Sequence, residues 1–242
     1  MTKLAKITAV VLAAVIAFAG VAIWIYADDY YRAEDVGAYM SSGDGVSVKT
    51  IKEGYYFDGP GEDNALIFYP GAKVEETAYA PILNTLASQG VDCFLIKMPM
   101  KLAFFGKNKA SSISSKYEYK QYYLAGHSLG GAMAANYAAQ HRAEYSGLFL
   151  FAAYPTRDMT SAQFPVVFIY GDNDRIVDRQ KLNNGFKLVP AGYRTVVIEG
   201  GNHACFGSYG EQEGDGKASI PEQEQWSITV DTILDLINSQ NI

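Results

Sequence analysis

Cysteine and histidine are the scarce residues of this chain. Among 242 residues there are two cysteines, Cys93 and Cys205, and three histidines. Two thiols make no disulfide framework. Cys93 falls inside the apolar run Val91 to Ile96 and reads as a small buried hydrophobe. Cys205 follows His203 by two positions, and a lone His-x-Cys supplies too few ligands for a metal. Both thiols are expected to be unpaired. A basic stripe is also missing. With a formal net charge of −6 and a pI near 5.1, nucleic acid is not an expected partner. There is no internal repeat and no low-complexity tract, which excludes solenoid architectures. The acidic, glycine-rich run Glu211 to Asp215 lacks the regular ligand spacing of a calcium loop. Neither a metal nor a cofactor is expected.

What remains is an ordinary globular composition, 49% hydrophobic and 19% charged, enough to bury a sizeable core. The first segment departs from it. Lys3 and Lys6 precede an apolar run from Ile7 to Tyr26, closed by Asp28 and Asp29. At about 1.5 Å per residue such a run is about 30 Å long, the thickness of a bilayer's hydrocarbon core. The lysines predict a cytoplasmic N-terminus, and Trp24 and Tyr26 stand where interfacial aromatics belong. An uncleaved anchor over 1–27, a stalk over 28–44 and a catalytic domain over 45–242 outside the cytoplasm are expected. The rival reading is a secretory signal cleaved at Ala17-Phe18-Ala19. Either one exports the domain.

The stretch Gln121 to Gln140 organises the rest. Tyr122 to Ala125 is a short apolar run of strand type. Ala132 to Gln140 is rich in alanine and predicts a helix. Between them lies Gly126-His127-Ser128-Leu129-Gly130, a G-x-S-x-G match. In that motif a strand enters a helix through a turn so tight that the serine is exposed at strained backbone angles beside a helix N-terminus.

Around it the chain alternates. A hairpin is expected over Val46 to Phe57, strands over Ala65–Tyr69, Val91–Ile96, Leu148–Ala153, Val166–Tyr170 and Thr195–Ile198, and helices over Glu76–Ser88, Asp178–Leu188 and Pro221–Asn238. Lys101 to Lys120 reads as a long connection. Alternation of this kind predicts an α/β fold: a mostly parallel sheet with helices on both faces. Reactive groups then collect on loops beyond the strands' C-terminal ends.

A serine hydroxyl needs a base, and the base needs a third group to orient it. His127 sits inside the turn and His141 ends the following helix; His203 sits just past the last strand and is the expected base. Beyond Val166–Tyr170 lie Asp172, Asp174 and Asp178. Asp174 is the expected acid and Asp172 the alternative. Two preorganised N–H groups are needed for an oxyanion. Leu129 supplies one, and the loop after Tyr69 the other, through Ala72 or Gly71. Phe104 and Phe105 follow a strand end and are candidates for an acyl pocket.

These residues carry a resemblance. Tyr69-Pro70-Gly71-Ala72-Lys73-Val74, Gly126 to Ala135, and Gly200-Gly201-Asn202-His203 through Gly214-Asp215-Gly216 resemble the α/β-hydrolase superfamily over roughly 45–240. More narrowly, the chain is similar to small lidless bacterial members with an N-terminal membrane segment. The resemblance implies Ser128 as nucleophile, Asp174 as acid and His203 as base. Dienelactone hydrolases are similar too, but they use a cysteine nucleophile, and the serine here argues against that activity. Pro70 replaces the histidine common in lipase oxyanion loops. Tyr154 to Pro165 is too short for a lid domain. The expectation is a serine hydrolase, a carboxylesterase acting on small or medium acyl esters. Peptidase, acyltransferase and a non-catalytic envelope binding role stay open, and the oligomeric state is not legible.

Overall fold

The computed structural model describes residues 28–240, together with positions 11, 12, 14, 15, 17, 18, 20 and 21. The apolar run 7–26, where a membrane anchor is expected, falls largely outside the described residues. Among the described residues no helix is long and apolar enough to cross a membrane. The chain divides into two units, Met1–Tyr30 and Tyr31–Ile242. In the first, the described positions from 11 to 21 are helical, and Val11, Leu12, Val15, Phe18 and Val21 are exposed. The sheet, its helices and the candidate site belong to the second.

Eight strands form one sheet: β1 (Ser47–Ile51), β2 (Gly54–Asp58), β3 (Asn64–Tyr69), β4 (Val91–Ile96), β5 (Gln121–His127), β6 (Gly147–Phe151), β7 (Val166–Gly171) and β8 (Arg194–Ile198). Their order is β1-β2-β4-β3-β5-β6-β7-β8. The expected hairpin is the antiparallel pair β1–β2 at one edge, and β2 joins β4 antiparallel. From β4 to β8 every pairing is parallel. Every residue of β3, β4 and β6 is buried, which is why these strands read as mainly apolar runs, Asp92 of β4 being the buried charge among them.

Among the described residues, five helices cover the two faces: α1 (Ala80–Ser88), α2 (Lys109–Ser114), α3 (Leu129–Ala138), α4 (Arg179–Gly185) and α5 (Glu222–Gln240). Side chains alternate across the sheet. Leu66 and Phe68 join the cluster under α1 and α5, with Leu83, Leu86, Val230 and Ile233. Ala65, Ile67 and Tyr69 join the other, under α2, α3 and α4, with Ile113, Ala134 and Leu182. Phe68, Phe149, Phe151 and Phe168 are fully buried, each contributing about 1.5–3 kcal/mol of apolar burial.

Three expectations are revised. The elbow helix begins at Leu129, directly after the serine, not at Ala132. The connection Lys101 to Lys120 contains α2, whose Ala110 and Ile113 are buried, and the Tyr69 hydroxyl donates to the Lys107 carbonyl at 2.6 Å. The segment expected as a stalk is part of the folded unit from Tyr31 onward. Tyr31 forms a parallel bridge with Val74. Ala33 N–H donates to Glu75 Oε2 at 3.0 Å and Glu34 N–H to the Ser208 carbonyl at 2.8 Å. The Tyr39 ring meets Trp226 edge-on, with centroids 6.4 Å apart. Polar as it is, this strap is tied to the domain by hydrogen bonds from its backbone.

Candidate active site

Strand β5 runs into α3 with no intervening loop. Ser128 occupies the turn at φ 53° and ψ −124°, where a side chain is strained. Its N–H donates to the Phe151 carbonyl at 2.9 Å, tying the turn to β6. The flanking glycines have a steric cause. A Cβ on Gly130 would lie 2.2 Å from the Tyr69 and Pro70 carbonyl oxygens, and one on Gly126 would lie 2.7 Å from the Gly131 nitrogen. β3 can lie beside the turn only if Gly130 is bare, and α3 can start against the end of β5 only if Gly126 is.

Beyond β7 and β8 two loops meet. Nδ1 of His203 and Oδ2 of Asp174 are 2.9 Å apart, both groups buried. The other carboxylate oxygen, Oδ1, accepts from the Ile176 and Val177 N–H groups, each at 2.8 Å. The carboxylate is therefore fixed on both sides, and Nε2 is left as the uncommitted ring nitrogen of His203. Asp172, the alternative acid, is occupied elsewhere: its Oδ1 accepts from the Gly200 N–H at 2.8 Å. Asp178 caps α4, accepting from Gln180 and Lys181 N–H. Of the three aspartates considered, Asp174 is the one on the histidine.

Ser128 and His203 line a single cavity of about 580 Å³. Phe104, Leu129, Ala132, Met133, Ala153, Ile176 and Val177 supply its apolar wall; Asn136, Thr156 and Lys181 supply polar groups. Phe104 thus lies at the site, whereas Phe105 is exposed and not part of the lining. In the loop after β3, the Gly71 N–H donates to the Tyr79 hydroxyl at 3.1 Å, so it is not the free donor of that loop.

The sequence reading missed the groups that hold these loops. Tyr79 is buried, and its hydroxyl bonds Nδ1 of His127 at 2.8 Å. His127 packs its ring against His203, with centroids 4.5 Å apart. Burial, and then the neighbouring His203, hold the His127 pKa well below its ordinary value. Asp215 joins the acid and base loops, accepting from Arg175 N–H at 3.1 Å through Oδ1 and from Ala204 N–H at 2.9 Å through Oδ2. Gln225 of α5 clamps Asn202 from both sides, accepting from its N–H and donating to its carbonyl. Asp215 was visible in an acidic loop and in the Gly214-Asp215-Gly216 block of the family resemblance, but with no role attached. Nothing in the sequence marked Tyr79.

Both cysteines are free. Burial holds the Cys93 thiol well above its ordinary pKa and pushes Cys205 up to about 11. Among the described residues no three His, Cys, Asp or Glu side chains are placed to hold a metal ion.

A parallel sheet with a left-handed serine between its central strand and the following helix, faced by a histidine on a buried aspartate, is the arrangement of the α/β-hydrolase fold. The chain belongs to the Alpha/beta hydrolase family, whose model matches residues 65–227. Solved structures share the fold at low identity. Est1E from Butyrivibrio proteoclasticus is 15% identical with a TM-score of 0.59, over 80% of this chain and 99% of its own. Alpha/beta hydrolase domain-containing protein 10 from mouse is 14% identical with a TM-score of 0.60, over 81% and 99%. The carboxylesterase CesB from Bacillus subtilis is 12% identical with a TM-score of 0.56, over 90% and 98%. No curated protein sequence matches the chain.

Proposed function

We propose that the protein is a serine esterase that cleaves small or medium acyl esters through an acyl-enzyme. The observation that carries the reading is the buried Asp174–His203 bond opening on the cavity that also holds Ser128. In this reading His203 Nε2 takes the Ser128 proton as Oγ attacks the ester carbonyl. The negative charge on the carbonyl oxygen is met by the N–H groups of Leu129, at the start of α3, and Ala72. Asp174 keeps the His203 proton on Nδ1 and stabilises the imidazolium. Collapse expels the alcohol, which takes the proton from His203. Water, deprotonated by the same nitrogen, then attacks the acyl-serine and releases the acid. No cofactor is needed. The names of two similar structures support an ester substrate: one is a carboxylesterase, and Est1E has been solved with ferulic acid bound.

The run 7–26 serves in this reading as a membrane anchor that holds the domain outside the cytoplasm. Its length, its flanking lysines and the exposed apolar side chains at 11, 12, 15, 18 and 21 support it. A fluorophosphonate probe tests the chemistry. Labelling of the wild type, absent in Ser128→Ala and His203→Ala, is the expected result. An unlabelled, folded wild type would refute it and favour a binding role. Retention of the chain in membranes after alkaline extraction tests the anchor.

A further inference from the structure

The cavity beside Ser128 changes character along its length. Three segments of chain leave the triad and line it, and each passes from apolar to polar residues. On α3 the order is Leu129, Ala132, Met133 and then Asn136. Spaced at i, i+3, i+4 and i+7, these side chains share one face of the helix. After β6, Ala152, Ala153 and Tyr154 are followed by Thr156. Past the acid, Ile176 and Val177 are followed by Asp178 and Lys181.

The apolar ends lie at the reacting groups. Leu129 follows Ser128 directly. The Ser128 N–H is held by the carbonyl of Phe151, the residue before Ala152. The Ile176 and Val177 N–H groups are on the Asp174 carboxylate. The polar ends are drawn together as well. Thr156 Oγ1 donates to Asn136 Oδ1 at 3.0 Å, joining α3 to the loop after β6. Gly185 closes α4 against the same loop: a Cβ there would lie 2.9 Å from Tyr154 Cβ and 3.0 Å from Pro155 Cδ.

This arrangement sets a length and a chemistry. Leu129 and Asn136 are about two helical turns apart, about 10 Å along the axis. At the far end Asn136 is half-buried and Thr156 exposed, so the cavity opens to solvent there. The bond from Thr156 occupies Asn136 Oδ1, so the amide offers its Nδ2 hydrogens and the threonine its oxygen lone pairs. Lys181 Nζ is 3.4 Å from Asp178 Oδ2, and the two charges are of opposite sign. A neutral group that both donates and accepts suits this end better than an ion does. A methyl group would leave the amide facing hydrocarbon.

We propose that Asn136, oriented by Thr156, is a specificity-determining residue: the cavity takes an arm of the ester that is apolar for about 10 Å and ends in a hydroxyl group. The same chemistry serves an acyl arm or an alcohol arm, and the test separates them. The inference rests on the esterase reading of the same site.

The test measures kcat/KM of the full chain on two pairs of esters. One pair is nitrophenyl octanoate and nitrophenyl ω-hydroxyoctanoate; the other is octyl acetate and ω-hydroxyoctyl acetate. Wild type is expected to prefer the hydroxylated member of one pair by about tenfold, the scale of one hydrogen bond in a half-open site. The pair that shows it identifies the arm. Asn136→Leu should erase the preference and Thr156→Val should reduce it. A ratio of two esters is insensitive to a general loss of folded enzyme. Preference in neither pair, or a preference that survives Asn136→Leu, overturns the proposal. Calorimetric binding of octanediol and octanol to Ser128→Ala needs no turnover. Tighter binding of the diol, lost when Asn136→Leu is added, sustains the subsite even if no ester is hydrolysed, and then counts against the esterase reading alone. Equal binding with no hydrolysis overturns the subsite as well.

Discussion

The Tyr79 hydroxyl lies 2.8 Å from Nδ1 of His127, and both residues are about 1% exposed. The Gly71 N–H donates to the same hydroxyl at 3.1 Å. One chain of groups therefore runs from the loop that carries Ala72, through Tyr79, to the residue before Ser128, whose ring packs on His203. Removing the hydroxyl strands a buried N–H and a buried ring nitrogen. Tyr79→Phe is expected to cost about 1–3 kcal/mol of stability, read as a lower denaturation midpoint. With Ala72 less well placed, kcat should fall by up to about 10²-fold, the scale of one lost oxyanion donor, while KM changes little.

His127 also makes stability depend on pH. In the unfolded chain it takes up a proton below its ordinary pKa of 6.5; in the folded protein burial and His203 keep it neutral to much lower pH. Below 6.5 the unfolded state therefore binds more protons, and stability falls as pH falls, by at most about 1.4 kcal/mol per pH unit from this group. The decline ends once the depressed folded pKa is passed. Urea midpoints at pH 7.5 and 5.5 should show the drop in wild type and a smaller one in His127→Asn, whose amide can both donate to and accept from Tyr79.

The two aspartates beyond β7 separate acid from scaffold. Asp174→Asn would present an amide to Nδ1 of His203 and favour the wrong tautomer. Ester turnover should fall by about 10³–10⁴-fold. Asp172→Asn retains an acceptor for the Gly200 N–H and should stay within about tenfold of wild type, since it changes one backbone contact. Equal losses in both would contradict the assignment of Asp174.

Asp215 receives N–H groups from the loops of Asp174 and His203 alike. Asp215→Ala loosens one against the other without touching the cavity. We expect a fall in kcat of about ten- to a hundredfold, the scale of a misplaced reacting group, with an unchanged KM and slower labelling by a fluorophosphonate.

The elbow was legible because its local and global signals agree: an aromatic strand, a glycine-flanked serine and an alanine-rich helix in immediate succession. His203 and Asp174 were legible because both fall just past apolar runs. Tyr79 was not, since it sits 48 positions from His127 and its surroundings look like any helix face. Helix α2 was hidden by Ser111, Ser112, Ser114 and Ser115, poor helix formers held in place by the burial of Ala110 and Ile113. The strap after Tyr31 was read as a stalk because its attachment lies in backbone hydrogen bonds, to which composition is blind.

That strap also bears on the order in which the molecule is completed. Glu34 is tied to Ser208, Tyr39 touches Trp226, and the Glu213 N–H donates to the Tyr31 hydroxyl 182 positions earlier. The first part of the domain to leave the ribosome is thus the last that can be seated, because its partners are synthesised near the end. A nascent chain would hold Tyr31 to Met40 in waiting until α5 arrives, and only then close this edge of the domain.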